Sequence, residues 1–343
     1  MSNIVTLGDY NKFTDLTDAI QFVPNKWTRI GDLGLFTPRG TSQLSVTFDR
    51  VDGKLSALEA RQRGVNPQYG SNEIVKTFSY ATAYFPANDK VAPEDIQGRR
   101  RPGAADQTDM VTEAVARKLE NLRMAHAQTR EYMEMQALKG LVSSPDGTVF
   151  ADLYTDFGFT QKSVDFLLGT STTDVDAKIR EMIRHIEDNA FSGGSIGGIR
   201  VLVSQEFFDK LIGHANVREA YTHYQANNQV GGGQVLRDDL RRSFAHQGVI
   251  FEEYRGSITK MDGTVERMIT AQEGHAFPTG AEGMFETWFS PAHHMDYVNT
   301  VGEEVYAWSI PAVDGSGIEI YSQSAPLPLC KRPQALVKVL TSN

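Results

Sequence analysis

The amino-acid sequence predicts an α+β chain, and three changes of hydrophobic period carry the prediction. Apolar residues recur with period two over 41–84, with a helical period over 108–139, and as mixed short strand-like and helical runs beyond 148. At roughly 100 to 200 residues per domain, a chain of 343 residues has room for two or three domains. With 40% apolar and 22% charged residues it is neither disordered nor of low complexity. No apolar run approaches the roughly 18 residues of a membrane-spanning helix, so no membrane segment is expected. The opening residues, MSNIVTLGDYNKF, lack a basic stretch followed by an apolar core, so no secretory signal is expected. The single cysteine, Cys330, excludes an internal disulfide and fits a reducing compartment. A net charge of -9 argues against a surface whose main task is to grip nucleic-acid phosphates.

Residues 1–40 hold a short helical candidate at 13–22 and then VPNKWTRIGDLGLFTPRG, whose apolar residues fit neither period. With Trp27, Ile30, Leu33, Leu35 and Phe36 but no periodic face, this stretch reads as an arm that hides its side chains against something larger, another subunit among the candidates. Over 41–84, Leu44, Val46 and Phe48 alternate with polar residues, and Ile74, Phe78 and Tyr80 share one face of the return. That is a projecting hairpin with a broad polar tip, a shape marginal by itself and completed by a partner. A basic run, QGRRRPGAADQ, precedes the long helix over 108–139, whose stripe is Val111, Val115, Leu119, Leu122, Met133 and Ala137 and whose stop is Gly140. Such a helix is about 48 Å long, against a radius of gyration of about 20 Å for a compact globule of this length, so an elongated subunit is expected.

Strand-like alternation returns over 148–170. Thr173 with Asp176 reads as a capping box opening a helix that carries Val175, Ile179, Met182, Ile183 and Ile186 inward. A compact α/β region follows, with a buried strand at 199–204, helices at 205–226 and 235–244, and strands in GVIFEEY, SITKMDGTVERMITA and GMFETWF, the middle one a hairpin about MDG. The tail reads as three strands, VYAWSI, GIEIYSQSA and ALVKVL, broken by prolines.

Motifs for chemistry are weak. GGSIGG at 193–198 precedes a strand where a phosphate loop follows one, and GGG at 231–233 reads as a loop. His293, His294 and Asp296 are the best metal candidates, but adjacent histidines on a strand diverge and no metal-site spacing is present, so surface or interface histidines are expected. Cys330 lies among prolines without a nearby histidine and reads as a small buried apolar residue. Glu303 and Glu304 diverge if extended. Arg99, Arg100 and Arg101 form a compact basic cluster, suited more to an acidic patch on a neighbouring subunit than to DNA, given the negative net charge. No catalytic residue, cofactor or metal is therefore expected.

The order of these parts resembles the lambda-type major capsid proteins of tailed bacteriophages, the phage major capsid protein E family, with a Hong Kong 97-like fold. The segments that carry the resemblance are WTRIGDLGLF, GRRRPG, MEMQALKGLVSSPDGTVF and IYSQSAPLPLCKRPQALVKVL, taken in their order along nearly the full chain. The resemblance implies an N-terminal arm at 1–40, an extended hairpin loop at 41–105, a peripheral domain at 106–170 and 306–343 built on the spine helix 108–139, and an axial domain at 171–305. It implies pentamers and hexamers of one chain closing an icosahedral head around double-stranded DNA without sequence-specific binding. The implied partners are a separate scaffolding protein, a decoration protein and a portal, with assembly in the host cytoplasm, and the subunits change shape as the shell expands. Trp27, Leu35, Phe48, Phe78, Tyr80, Arg99, Arg100 and Arg101 are the expected intersubunit contacts. Lys54 and Lys76 are the hairpin's only donors for an isopeptide cross-link and neither sits at the tip, so no cross-link is expected. An encapsulin-like compartment shell and a metal-dependent enzyme centred on His293, His294 and Asp296 stand as rivals.

Overall fold

The computed structural model describes residues 14–15, 29–52, 74–97, 111–190, 196–230 and 242–343. Its axis is one helix of 28 residues, Val111–Leu138, about 42 Å long at 1.5 Å per residue. The two halves of this helix meet different surroundings. In the first half Ala114, Leu119, Leu122 and His126 are buried. This half lies on an antiparallel sheet ordered Thr14–Asp15, Tyr306–Pro311, Ile318–Ser324, Phe85–Val91. Leu119 and Leu122 pack there with Val91, Ala307 and Ile320, and His126 Nε2 lies 2.9 Å from Ser322 Oγ. From Glu131 to Leu138 every side chain is buried, polar ones included. Of the predicted stripe, Leu119, Leu122, Met133 and Ala137 are buried, Val115 is half-buried and Val111 is exposed. The chain leaves the helix through Gly140, at φ +84°, where a Cβ would stand 2.0 Å from the Tyr154 ring. Only glycine fits that position.

A six-stranded sheet runs Ser243–His246, Val249–Glu253, Gly198–Val203, Glu273–Thr279, Val337–Leu340, Lys162–Asp165. Gly198–Val203 pairs parallel to Val249–Glu253 and antiparallel to Glu273–Thr279. Being interior, it carries an apolar run, with Val201, Leu202 and Val203 buried in succession. The helix Val175–Ala190 brings Val175, Ile179, Met182 and Ile186 to the same core. Its cap lies one residue later than the sequence predicts: Asp174 accepts from the Ala177 N–H at 2.9 Å, while Asp176 meets His246 Nε2 at 2.7 Å. The acidic side chain that reads as half of a capping box is therefore occupied by a distant histidine.

In a third sheet Phe285–Phe289 lies between Pro326–Cys330 and Thr37–Gly40. Pro326 and Pro328 stand opposite Phe289 and Thr287. The Ser290 N–H donates to the Ala325 carbonyl at 3.2 Å, and the Lys331 N–H to the Met284 carbonyl at 2.9 Å. Odd-numbered residues thus turn their backbone polar groups to the central strand, and both proline nitrogens face away from it, on the side where the Pro326 carbonyl takes the Ala83 N–H at 3.3 Å, so no ladder bond to the central strand is lost. The hairpin is a separate two-stranded ribbon, Ser45–Asp52 with Ile74–Ala81, in a register that sets Phe48 opposite Phe78.

Several expectations need correction. Residues 14–15 of the helical candidate 13–22 are a strand paired with Trp308 and Ser309, and the others lie outside the described residues. The stretch 148–170 includes a helix, Leu153–Phe157, because Asp152 accepts from the Thr155 N–H at 3.1 Å and caps it. Residues 243–246 are a strand where a helix was expected to 244; 193–195, 231–233 and 235–241 lie outside the described residues. Among the described residues, five strands had no counterpart in the sequence reading: Thr37–Gly40, Phe85–Val91, Leu141–Ser143, Glu273–Thr279 and Pro326–Cys330. Lys162–Asp165 and Val337–Leu340, expected in the peripheral domain, pair with each other, and the latter pairs with Glu273–Thr279. The six-stranded sheet therefore draws strands from both sides of the boundaries expected at 170 and 306.

Candidate functional site: the seats of the arm and the hairpin

The described arm, 29–40, lies against its own body. It opens with one helical turn, Arg29–Asp32, whose first backbone N–H groups have no partner within the turn. Glu131, on the long helix, supplies it: its carboxylate accepts from Arg29 N at 2.8 Å, Ile30 N at 2.9 and 3.0 Å and Gly31 N at 3.4 Å, and from the Tyr254 hydroxyl at 3.1 Å. The Arg29 guanidinium grips Glu252 through two bonds of 2.5 and 2.7 Å, and Arg200 meets the same carboxylate. Further along, Arg39 Nε donates to Glu286 at 3.0 Å, and Lys331 Nζ lies 2.7 Å from its other oxygen. Glu131, Glu252 and Glu286 are each at most 2% exposed, and each takes a donor from the arm. Apolar contacts join them: Ile30 is in the core, Phe36 meets the Phe285 ring edge-on at 5.3 Å, and Leu35 is half-buried against the same cluster.

Glu134 lies one turn beyond Glu131. It accepts from Thr287 Oγ1 at 3.0 Å and has Arg130 at 3.9 Å; Arg130 in turn bonds Glu304 at 2.7 Å. Burial raises the Glu134 carboxyl to about 7, with the Glu131 charge adding to the rise and Arg130 opposing it. Burial raises Glu131 as well, against the backbone and tyrosine donors that hold its charge. Long helix, arm and the strand Phe285–Phe289 are thus joined by carboxylates that share a small number of cations.

The hairpin sits on the helix Leu153–Phe157. Phe78 and Phe48 pack on the Phe157 ring with centroids 4.9 and 6.0 Å away, and the Tyr80 hydroxyl donates to Asp156 at 2.8 Å. Arg50 lies 4.6 Å over the Phe159 ring and donates to the Phe157 carbonyl at 2.8 Å. Phe48, Phe78 and Tyr80 therefore line the seat of the hairpin on its own chain. The other face carries Thr77, bonded to Asp49 at 2.6 Å, and Thr47, bonded to Ser79 at 3.1 Å, with Val75 exposed.

Trp27, Arg99, Arg100, Arg101 and Lys54 lie outside the described residues, while Lys76 is exposed on the hairpin. His293 meets the Tyr84 ring at 6.2 Å and His294 the Trp308 ring at 5.0 Å, so the two rings have different neighbours. Among the described residues no group of three or more His, Cys, Asp or Glu side chains is placed to hold a metal. Burial pushes the Cys330 thiol up to about 12, where it is no nucleophile near neutrality. Glu304 holds Arg130. The glutamates that seat the arm were not identified from sequence: Glu131 lies 102 residues from Arg29, Glu252 223, and no local pattern joins them. No helix among the described residues is long and apolar enough to cross a membrane.

Comparison with known proteins adds what the geometry alone does not supply. The family profile described as phage major capsid protein E matches residues 12–341. The major capsid protein of Salmonella phage Felix O1 is 35% identical, with 98% of each chain covered. That of Pseudomonas phage KPP10 is 34% identical, with 98% of this chain and 99% of the other covered. Among solved structures, the capsid of cyanophage P-SCSP1u superposes with a TM-score of 0.52 at 14% identity, covering 93% of this chain and 90% of that one. The mature capsid of bacteriophage PhiM1 gives 0.52 at 12%, covering 90% and 85%. At such identities the structural likeness concerns the fold.

Proposed function

The chain belongs to the phage major capsid protein E family and has the Hong Kong 97-like capsid fold, and on that premise we propose that its copies gather as pentamers and hexamers that close an icosahedral head around double-stranded DNA. It is a major capsid protein of a tailed phage, located in the virion shell. The observation that carries this reading is identity of about 35% to such proteins along 98% of the chain. A compartment shell for enzyme cargo and a metal enzyme have no comparable support.

The finer proposals are these. A separate scaffolding protein templates the precursor shell, a decoration protein binds the finished one, and a portal is a further partner. The DNA is enclosed and not recognised by sequence, consistent with the net charge of -9. The subunit performs no catalysis. Residues 1–40 act as the arm, 41–105 as the extended loop, 106–170 and 306–343 as the peripheral domain and 171–305 as the axial domain, with the six-stranded sheet welding the last two together. Trp27, Leu35 and Arg99 to Arg101 make contacts between copies. Phe48, Phe78 and Tyr80 act there by holding the hairpin at a fixed angle for a neighbour, an assignment supported by their packing on Phe157 and Asp156.

Negative-stain microscopy with light scattering, on the protein expressed alone and with its neighbouring genes, tests the reading. Closed shells, or rings of five and six, are expected. A monodisperse monomer or dimer in both preparations would overturn it.

A further inference from the structure

At one end of the four-stranded sheet lies a groove of about 630 Å³ lined by Val91, Ile96, Val111, Pro311, Val313 and Ile318. Its walls are mostly apolar, and Val111 and Val313 stand exposed at its rim. An apolar hollow of this size left open to water is unfavourable, so its occupant is worth identifying.

The strand register gives the direction of approach. Thr14 pairs with Ser309 and Asp15 with Trp308, antiparallel. Traced backward from Thr14, the chain therefore heads along Tyr306–Pro311 toward Pro311, a wall of the groove. Pro311 is two residues past Ser309, about 7 Å in a strand, whereas the thirteen residues before Thr14 reach up to about 43 Å. Composition agrees. Residues 1–13 carry Ile4, Val5, Leu7, Tyr10 and Phe13, with Asp9 and Lys12 as the charged side chains. The rival from the same chain, 98–110, joins two groove residues, Gln97 and Val111. It carries Arg99, Arg100, Arg101, Asp106 and Asp109, whose burial in an apolar hollow is costly. We propose that the groove is the seat of the chain's own N-terminal segment, residues 1–13, which approaches it from the edge strand at Thr14–Asp15. This inference rests on register and composition and holds whether or not the protein assembles into a shell.

Cysteine pairing tests it in the full-length protein, because the natural thiol, Cys330, is buried. Val313→Cys is combined in turn with Ile4→Cys, Val5→Cys and Leu7→Cys, and each chain is mildly oxidised. A control set places the second cysteine at the exposed Met261. The expected result is a disulfide within one chain for at least one Val313 pair and for none of the Met261 pairs, read on non-reducing gels and by peptide mapping. Disulfide-linked dimers would overturn the proposal in favour of a second copy as occupant, and equal or no bonding in both sets would overturn it outright. Val111→Asp supplies a second reading, since an acidic residue at a helix start is well tolerated. Amide exchange within 1–13 is expected to speed up at least tenfold in that variant while the six-stranded sheet keeps its protection. Unchanged exchange would overturn the proposal.

Discussion

Glu131 is the residue on which the arm turns. One carboxylate answers three consecutive backbone N–H groups and a tyrosine hydroxyl, so its removal leaves several buried donors without an acceptor. Glu131→Ala is expected to destabilise the subunit by about 2 to 4 kcal/mol, measured by urea unfolding of unassembled protein, and to free the 29–40 backbone for amide exchange before the rest. Glu134 acts in the opposite sense. Its folded-state value of about 7 lies above the ordinary 4.5, so the fold binds a proton that the unfolded chain does not hold between those values. Stability from this group is greatest below about pH 4.5 and is lost as pH rises through 7. Glu134→Gln is accordingly expected to raise the unfolding free energy at pH 8 by on the order of 1 to 3 kcal/mol and to change it little at pH 5. Equal effects at both would contradict the assignment. His275 has the reverse sign. Burial holds its imidazole down to about 3, so its contribution is full above 6.5 and fades as pH falls toward 3. None of these roles was legible in the sequence, because each depends on which distant chain covers the side chain.

Among the elements, those with a strong period of their own were legible. The long helix, the ribbon strands around Phe48 and Phe78 and the helix Val175–Ala190 emerge where period alone places them. Glu273–Thr279 stayed hidden because Gly274, His275 and Pro278 dilute its pattern, although it forms the middle of the largest sheet, between Gly198–Val203 and Val337–Leu340. Pro326–Cys330 stayed hidden because two prolines in five residues argue against a strand unless its edge position is already known. The hairpin's angle depends on Phe157, which both of its phenylalanines touch. Phe157→Ala is expected to cost about 3 to 5 kcal/mol and to raise amide exchange across 45–52 and 74–81 while exchange in the six-stranded sheet is unchanged. A uniform loss of protection would instead mean that ribbon and body unfold as one unit.

For the whole molecule, the resemblance was legible because the order of arm, ribbon, arginine run, spine and tail is itself a long-range signal, whereas the make-up of the six-stranded sheet was not, since Lys162–Asp165 and Val337–Leu340 return to a sheet built mainly from the middle of the chain. The arginine run gives the prediction proper to this scale. Reversing Arg99, Arg100 and Arg101 to glutamate is expected to cut the yield of closed shells at least tenfold and to leave the subunit's unfolding free energy unchanged to within about 0.5 kcal/mol, checked by light scattering beside denaturation. Equal loss of both would refute an intersubunit role. A protein that crowds many copies of itself into one particle faces a hazard unknown to a dilute enzyme, since any open strand is a template on which the next copy can extend a ladder and gel the host cell's supply before a shell can form. At the edge of the three-stranded sheet two prolines turn their nitrogens away from the central strand, and the chain's own body covers what is left, since every residue of Pro326–Cys330 is buried and the Pro326 carbonyl already takes the Ala83 N–H. That edge therefore gives the next copy no ladder to extend, and the copies stay available for the contacts that close a shell.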